Sequence, residues 1–590
     1  MPQLTRRSFL PALASPLLGA PLLAAPAARQ PNIVVILADD QGWGDLSVHG
    51  NSNLSTPHID SLARDGAIFD NFYVCSVCAP TRAEFLTGRY HPRCGVRGVS
   101  TGLERLNLDE RTIANAFLDS GYRTAAFGKW HSGSQFPYHP NARGFQEYYG
   151  FTSGHWGQYF DTELDHNGRL TRGRGFIIDD LTDHALQFIE QNRRNPFFCY
   201  LPLNTPHSPM QVPDRWYRKF ADYQPKMLAT NPQQEDLLMT RAALAMVENI
   251  DYNVGRVLSQ LERLQLSRDT VVVYFSDNGP NSWRWNGGMK GRKGSLDEGG
   301  LRAPLLLRYP AQVPTGLRLP QIAGAIDLFP TLAAFAGVNS NAGKPLDGRP
   351  LQPLLRTSPG PWPERLIFSM QNRRSSVRSQ RFRLDPAGAL FDIESDRGQT
   401  RNAAAEFPQE AARLQSALDQ WNGEMLPLVG KDDRPYTAGF SEYTLLPARD
   451  GVPHGAVKRS SIHPNCSYFT NWRSTADSIT WDVEIGRAGL YEAAIHYTCP
   501  AADTGATIEL SFGEARTQAV VDKAYDPPIL GPSQDRAPRT ESVVKDFIPF
   551  ALGRIQLART RGQLTLRATD IPHAQAAEVR YLTLRFIRPA

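Results

Sequence analysis

The 590-residue chain has little of several things, and each shortage excludes something. Its six cysteines are few for a protein of this size, so no disulfide framework is implied. Charge of either sign nearly balances, at a formal +5. Removing the first 27 residues takes away Arg6 and Arg7 and no acid, leaving 62 bases against 59 acids. That excess is too small for a nucleic-acid-binding surface. Past the N-terminus no apolar run is long enough to cross a bilayer. There are no internal repeats and no low-complexity tract beyond the leader, which excludes a solenoid or fibrous chain. What is present is ordinary for a soluble globular protein, with 41% hydrophobic and 21% charged residues. The length is too great for one core and predicts two to four domains.

The N-terminus reads Thr5-Arg6-Arg7-Ser8-Phe9-Leu10, then an apolar stretch rich in Ala, Leu and Pro ending at Ala25-Pro26-Ala27. This pattern predicts a twin-arginine export signal over residues 1–27 with a small-residue cleavage site. The apolar stretch is short for a membrane span and carries prolines, and no cysteine stands near the cleavage site to take a lipid. The expected destination is periplasmic or extracellular, with no stable membrane insertion after cleavage. Cys75 reads as a packing residue. Cys466 and Cys499 share the C-terminal region and either pair or sit as separately buried thiols.

From residue 28 to about 360 the texture predicts an α/β domain. Near-continuous apolar runs at 32–37, 122–127, 197–203 and 270–275 read as parallel strands covered on both faces. Helical stretches at 111–118, 180–191 and 235–264 alternate with them, the last placing Leu238, Met246, Ile250, Val254, Leu258 and Leu261 near one face. Such alternation predicts a mostly parallel sheet sandwiched by helices. Over 361–430, short strands at 367–370, 376–384 and 390–393 and an amphipathic helix at 408–421 predict a small α+β unit. From 436 to 590 helix periodicity disappears. Alternating segments at 479–485, 490–498, 506–512, 554–558, 563–568 and 579–587, punctuated by Gly and Pro, predict an all-β sandwich. It is either a carbohydrate-binding-like module or a structural cover for the catalytic domain.

The chemistry-bearing residues gather at strand ends. In an open α/β sheet, ligands sit beyond the C-terminal ends of the strands. The first predicted strand runs into Asp39-Asp40, the second into Lys129-Trp130-His131, the third into Pro206-His207 and the fourth into Asp277-Asn278. Asp39, Asp40, Asp277 and Asn278 offer only oxygen, the donor set of a hard divalent cation, whether calcium or magnesium. Carboxylates clustered without a cation would raise one another's pKa. Elsewhere, Cys78-Ala79-Pro80-Thr81-Arg82 precedes Leu86-Thr87-Gly88-Arg89 and reads as a helix start. Proline suits a first turn, and the positive helix end stabilises an anion. Arg82 falls one turn after Cys78 on the same face, placed to hold that anion. Glu84 is expected to face outward.

The Cys78–Arg89 stretch resembles the signature of the type I sulfatases, C-x-P-S/T-R followed by L-T-G-R. The block from Gly291 to Pro304, containing Lys293 and Glu298-Gly299-Gly300, resembles the family's G-K-G-x-x-x-E-G-G-x-R-x-P. These motifs occur in the family's order across most of the first 430 residues. Asp297 stands where an aromatic residue is frequent, and Thr81 replaces the commoner serine. The resemblance implies an arylsulfatase-like member of the alkaline-phosphatase-like superfamily. It implies formylglycine at residue 78, one calcium ion at Asp39, Asp40, Asp277 and Asn278 completed by an oxygen of residue 78, and the small C-terminal subdomain of the family. It aligns the active-site lysine with Lys293, with Lys290 as the alternative.

The implied reaction is hydrolysis of a sulfate ester through a covalent sulfo-enzyme intermediate. Residue 78 would be the nucleophile, activated by the cation and Asp277. Arg82, Lys129 and Lys293 would share the sulfonyl charge. His207, with Lys293, would protonate the leaving oxygen, and His131 would deprotonate the second hydroxyl of the hydrate. The implied partners are a sulfated oligo- or polysaccharide and a formylglycine-generating maturation enzyme. Trp283-Arg284-Trp285-Asn286 and His155-Trp156 are candidate sugar-contacting loops, packing being the alternative for each. Two other readings remain open: a phosphomonoester or phosphonate hydrolase on the same scaffold, and an inactive sulfated-glycan-binding protein.

Overall fold

The computed structural model describes residues 30–340, 343–358 and 361–589; the export signal expected over 1–27 lies outside them. Among the described residues no helix is long and apolar enough to cross a membrane. The centre is an eleven-stranded sheet in which Thr270–Ser276, Asn32–Ala38, Phe197–Pro202, Arg123–Lys129 and Glu147–Phe151 lie side by side and parallel. Antiparallel strands flank this block, with Leu305–Arg308 on one side and Glu163–His166 on the other. Ile33 to Leu37 are fully buried because helices cover both faces. Each such apolar side chain contributes about 1.5–3 kcal/mol on leaving water.

Two helices bear directly on the site. Cys78–Thr87 is buried along its whole length and ends at Gly88, whose φ of 68° closes it in a left-handed cap. The expectation that Glu84 faces outward is therefore corrected: this helix has no outward face, and Glu84 is buried, accepting the backbone N–H of His91 at 3.2 Å. The long helix Leu237–Arg263 starts at Asp236, whose carboxylate accepts the N–H groups of Leu238 and Met239. Met246, Ile250, Val254 and Leu261 are buried as the periodicity requires, while Leu238 in the first turn is exposed. The helix read from residue 111 begins at Ile113, because Thr112 and Asn115 form a capping box there.

Beyond the main sheet, the strands from Ile367 to Asp392 form a four-stranded antiparallel sheet. The stretch read as one strand over 376–384 is two, Arg374–Arg378 and Phe382–Leu384, joined by a turn. Helix Pro408–Met425 packs on that sheet through Leu414 and Leu418. From Tyr436 on, two six-stranded sheets share a core that includes Trp472, Trp481, Ile495 and Leu566. Cys466 and Cys499 are separate buried thiols and do not pair.

The C-terminal sandwich is locked to the α/β core by buried charge. Arg449 donates to Ser153 at 2.8 Å and lies 3.5 Å from Glu104 and 3.2 Å from Asp450. Arg105 donates to the carbonyls of Pro435 and Arg434 at 2.6 and 2.7 Å. Buried charges of opposite sign brought together in this way favour one docking geometry, since a shifted one would leave them unpaired.

Candidate active site

The register of the sheet assembles the carboxylates. Ala38 lies opposite Ser276, so Asp39-Asp40 and Asp277-Asn278 leave two neighbouring strands at the same level. All four are fully buried. Asp40 N–H donates to Asp277 Oδ1 at 3.2 Å, and Asn278 Nδ2 donates to Asp40 Oδ1 at 2.8 Å. One oxygen each from Asp39 and Asp277 and the sulfur of Cys78 lie within 4.8 Å of one another. The cations predicted with them arrive as well. Lys129 Nζ is 2.6 Å from Asp39, and Lys293 Nζ is 2.7 Å from Asp40. Lys290 instead turns to Asp297 at 3.3 Å, so of the two lysines Lys293 is the one at the site.

Two of these residues are held in unusual backbone conformations. Asp40 and His131 have φ of 65° and 58°, the left-handed region that costs a non-glycine residue about 1 kcal/mol or more. The surrounding contacts must over-determine such conformations. His131 Nε2 lies 2.8 Å from the Val99 carbonyl, which only accepts, so the proton is on Nε2. Nδ1 is left buried with a lone pair and no partner. Burial first, then the Lys129 charge, push His131 well below its ordinary pKa, so it is neutral. His207 is arranged the other way round. Its Nδ1 donates to the Ser208 carbonyl at 2.7 Å and its Nε2 faces Asp40 at 3.6 Å.

The carboxylates are electrostatically unequal. Burial pushes Asp39 up, but Lys129, His207, Arg82 and Lys293 together pull it well below the usual range. Burial and the Asp39 charge raise Asp277 to about 7 despite Arg82. Burial also raises the Cys78 thiol above its ordinary value. Asp39 Oδ1 and Asn278 Oδ1 are buried with no hydrogen-bond partner. Orphan oxygens beside three clustered carboxylates fit a hard divalent cation.

Cys78, Asp40, His131, His207 and Lys293 open onto one cleft of about 560 Å³. Arg82 and Lys129 do not line it: each is fully buried, with its charge turned onto carboxylates. His155 does line it, whereas Trp156 is buried and donates its indole N–H to Thr162 at 2.9 Å. The Trp283–Asn286 loop is pinned by Arg284, which reaches Asp45 at 2.7 Å, and does not line the cleft. Arg292 and Asn281 on either side of that loop do. Sequence reasoning missed His463, Asn465, Thr540 and Glu541, which come from the C-terminal sandwich and form part of the wall. No spacing or motif signals them, because they lie hundreds of residues along the chain from the Cys78–Thr87 helix.

Comparison with known proteins now decides the family. The family model described as Sulfatase matches residues 31–338, more than half of the chain. The chain belongs to the sulfatase family. It is thereby a sulfuric ester hydrolase of alkaline-phosphatase-like fold. This sulfatase is 32% identical over 366 residues to the N-acetylgalactosamine-6-sulfatase of Mus musculus, covering 56% of this chain and 67% of that protein. It is 30% identical over 383 residues to arylsulfatase G of Mus musculus, covering 56% of this chain and 69% of that protein. Among solved structures it resembles Ps i-CgsB in complex with k-i-k-neocarrahexaose, at 29% identity and a TM-score of 0.59. That match covers 67% of this chain and 93% of the other. The spans matched in the curated relatives are about two thirds of their length.

Proposed function

We propose that this sulfatase removes sulfate from a sulfated oligo- or polysaccharide, with a formylglycine made from Cys78 as nucleophile and one calcium ion as cofactor. The observation that carries the reading is the place of Cys78. It is the first residue of a buried helix, its sulfur lies within 4.8 Å of carboxylate oxygens of Asp39 and Asp277, and it faces the cleft. As a thiol it is poorly suited to attack, since burial holds it protonated. Its Sγ marks where the oxygens of a hydrated aldehyde would lie.

Formylglycine at residue 78, once hydrated, would supply two hydroxyls on one carbon, one to act as nucleophile toward sulfur and one to let sulfate leave afterwards. Asp39, Asp40, Asp277 and Asn278 would hold the cation, which supplies Lewis acidity toward the sulfonyl oxygens. Their all-oxygen set favours calcium and also accepts magnesium. The protein's own groups do the rest. Lys293, at the cleft, presents its charge to a sulfonyl oxygen, and Lys129 holds Asp39 ionised from behind. His131 Nδ1 is the available base. His207, with both ring nitrogens protonated, would give a proton from Nε2 to the departing oxygen while Nδ1 keeps its bond to the Ser208 carbonyl.

A carbohydrate substrate is supported by the company the chain keeps: relatives named for N-acetylgalactosamine 6-sulfate, and a structural neighbour solved with a neocarrahexaose. The twin-arginine pattern supports export, with a formylglycine-generating enzyme acting on Cys78 first. The test has two parts. Mass spectrometry of the peptide spanning residue 78 in active enzyme should show loss of thiol sulfur and gain of carbonyl oxygen; unmodified cysteine alone would reject the nucleophile. A panel of sulfated glycans should yield free sulfate at rates far above phosphate release from nitrophenyl phosphate, and the reverse preference would reject the substrate class.

A further inference from the structure

We propose that the C-terminal β-sandwich completes the substrate site, and that Glu541, which it carries, accepts hydrogen bonds from the sugar hydroxyls flanking the scissile sulfate. This deepens the sulfate-ester reading and rests on it.

Two loops of the sandwich reach the cleft, and both are clamped to the α/β domain. In the loop before residue 466, the Asn465 carbonyl accepts Ser153 Oγ at 2.7 Å, and Asn465 Nδ2 donates to the Val99 carbonyl at 3.4 Å. There Gly154 is required: a Cβ on it would meet Asn465 Nδ2 at 2.5 Å and His131 Nε2 at 2.6 Å. In the loop ending at Ser542, Asp535 bridges to Gln211, and Arg536 N–H donates to the Met210 carbonyl at 2.8 Å. Arg539 donates to the carbonyls of Gly157 at 2.8 Å and Ser542 at 3.0 Å. A cover that merely shielded the sheet would not need such fixation beside the nucleophile; a wall that selects a ligand would.

The position of Glu541 follows from a chain of contacts leading out from the sulfate pocket. Lys293 meets Asp40 at 2.7 Å, and Asp40 faces His207 at 3.6 Å. The rings of His207 and His155 stack with centroids 5.7 Å apart. His155 Nε2 then lies 3.7 Å from Glu541 Oε2. Glu541 therefore stands two imidazoles beyond Asp40, on the side where His207 faces the leaving oxygen. Its Oε1 accepts Ser208 Oγ at 2.9 Å, while Oε2 is too far from His155 for a hydrogen bond and keeps its acceptor capacity. Burial opposes the charge, but the positive groups around it, Lys293 among them, and the Ser208 hydroxyl outweigh it and hold the carboxyl low, at about 2.

A carboxylate there welcomes O–H or N–H donors and repels a second sulfate or a uronate. The site would thus favour a sugar with free hydroxyls beside its sulfate and reject a vicinally disulfated one. Buried polar groups left unpaired by the wrong ligand are a strong source of discrimination.

The test uses the full-length, matured, calcium-loaded enzyme with Glu541→Ala and Glu541→Gln. The substrates are a monosulfated oligosaccharide cleaved by the wild type, its disulfated counterpart and nitrophenyl sulfate, which has no sugar hydroxyls. Glu541→Ala should raise KM for the oligosaccharide and lower the ratio of its kcat/KM to that of nitrophenyl sulfate at least about tenfold. Glu541→Gln, which keeps the shape and an acceptor, should recover part of that ratio while relaxing rejection of the disulfated sugar. Parallel losses on both substrates, or an unchanged ratio, would overturn the assignment while leaving the sulfatase reading intact. A wild type that releases sulfate from no sulfated oligosaccharide offered and none from nitrophenyl sulfate would overturn the reading itself.

Discussion

Arg82 grips Asp277. Its Nε and one terminal nitrogen lie 3.1 and 2.8 Å from Asp277 Oδ2, and its other terminal nitrogen donates to the Lys129 carbonyl at 2.8 Å. The guanidinium is fully buried. The arginine expected to hold the anion thus orients a carboxylate whose other oxygen accepts Asp40 N–H. Its planar fork does this in a way a point charge does not.

Arg82→Lys should consequently damage geometry more than charge. We expect kcat on a sulfate ester to fall roughly a hundredfold, the scale of a 1 Å misplacement at a reacting centre. KM should change little. An enzyme losing KM alone would show instead that Arg82 contacts the substrate directly.

Removing the proposed divalent ion should cost stability as well as activity. Without it Asp39, Asp40 and Asp277 would be left to lysines and one another, and the oxygens of Asp39 and Asn278 that lack a hydrogen-bond partner would stay uncompensated. Chelation followed by thermal unfolding should show a lower Tm, restored by calcium better than by magnesium. A ligand at a hundred times its Kd contributes about 2.7 kcal/mol. A Tm indifferent to chelator and calcium would refute the site.

Glu298 ties the small sheet to the main domain. Its Oε1 takes Arg383 at 2.8 Å and lies 3.4 Å from Arg378, and its Oε2 accepts Tyr73 Oη at 3.0 Å. Glu298→Ala leaves buried arginines uncompensated and should destabilise by about 3–5 kcal/mol. Burial opposes the charge, but Arg383, Arg378 and Arg302 hold the folded pKa down at about 2. That contribution is complete above the unfolded value near 4.5 and is lost as pH falls through 2. Chemical denaturation between pH 5 and pH 2 should show this loss in wild type and not in the variant.

Glu84 behaves oppositely. Burial raises its pKa from 4.5 to about 8, with the Cys75 thiol and His91 N–H only partly offsetting it. The folded state keeps a proton that the unfolded chain releases, so stability falls as pH rises from 4.5 to 8. Glu84→Gln removes the titration and should be more stable than wild type at pH 9, by up to a few kcal/mol at about 1.4 kcal/mol per unit. A difference between the two that stays constant from pH 5 to pH 9 would disprove it.

Much of the site was readable because strand ends carry it. The buried runs ending at Asp39, Lys129, His207 and Asp277 are continuous in sequence, so their polar terminations stood out. Glu84 was misjudged because the periodic rule assumes that a helix has a solvent side, and Cys78–Thr87 has none. Lys293 could be separated from Lys290 only by seeing which ammonium reaches Asp40.

Near-continuous apolar runs, helical periodicity and strand alternation determined by themselves that this protein has a buried parallel sheet, a small mixed unit and a β-sandwich, since burial of apolar surface is local to each strand and helix. Residue type likewise marked the helix start at Cys78 and the cluster of oxygen donors, whose chemistry lies in their side chains. Only the tertiary structure decided that Arg82 orients Asp277, and that Glu541 from the far end of the chain stands at the rim of the catalytic cleft. Those relations depend on how separately stable layers dock. Docking is set by pairwise contacts such as Ser208 with Glu541, and no one-dimensional pattern encodes them.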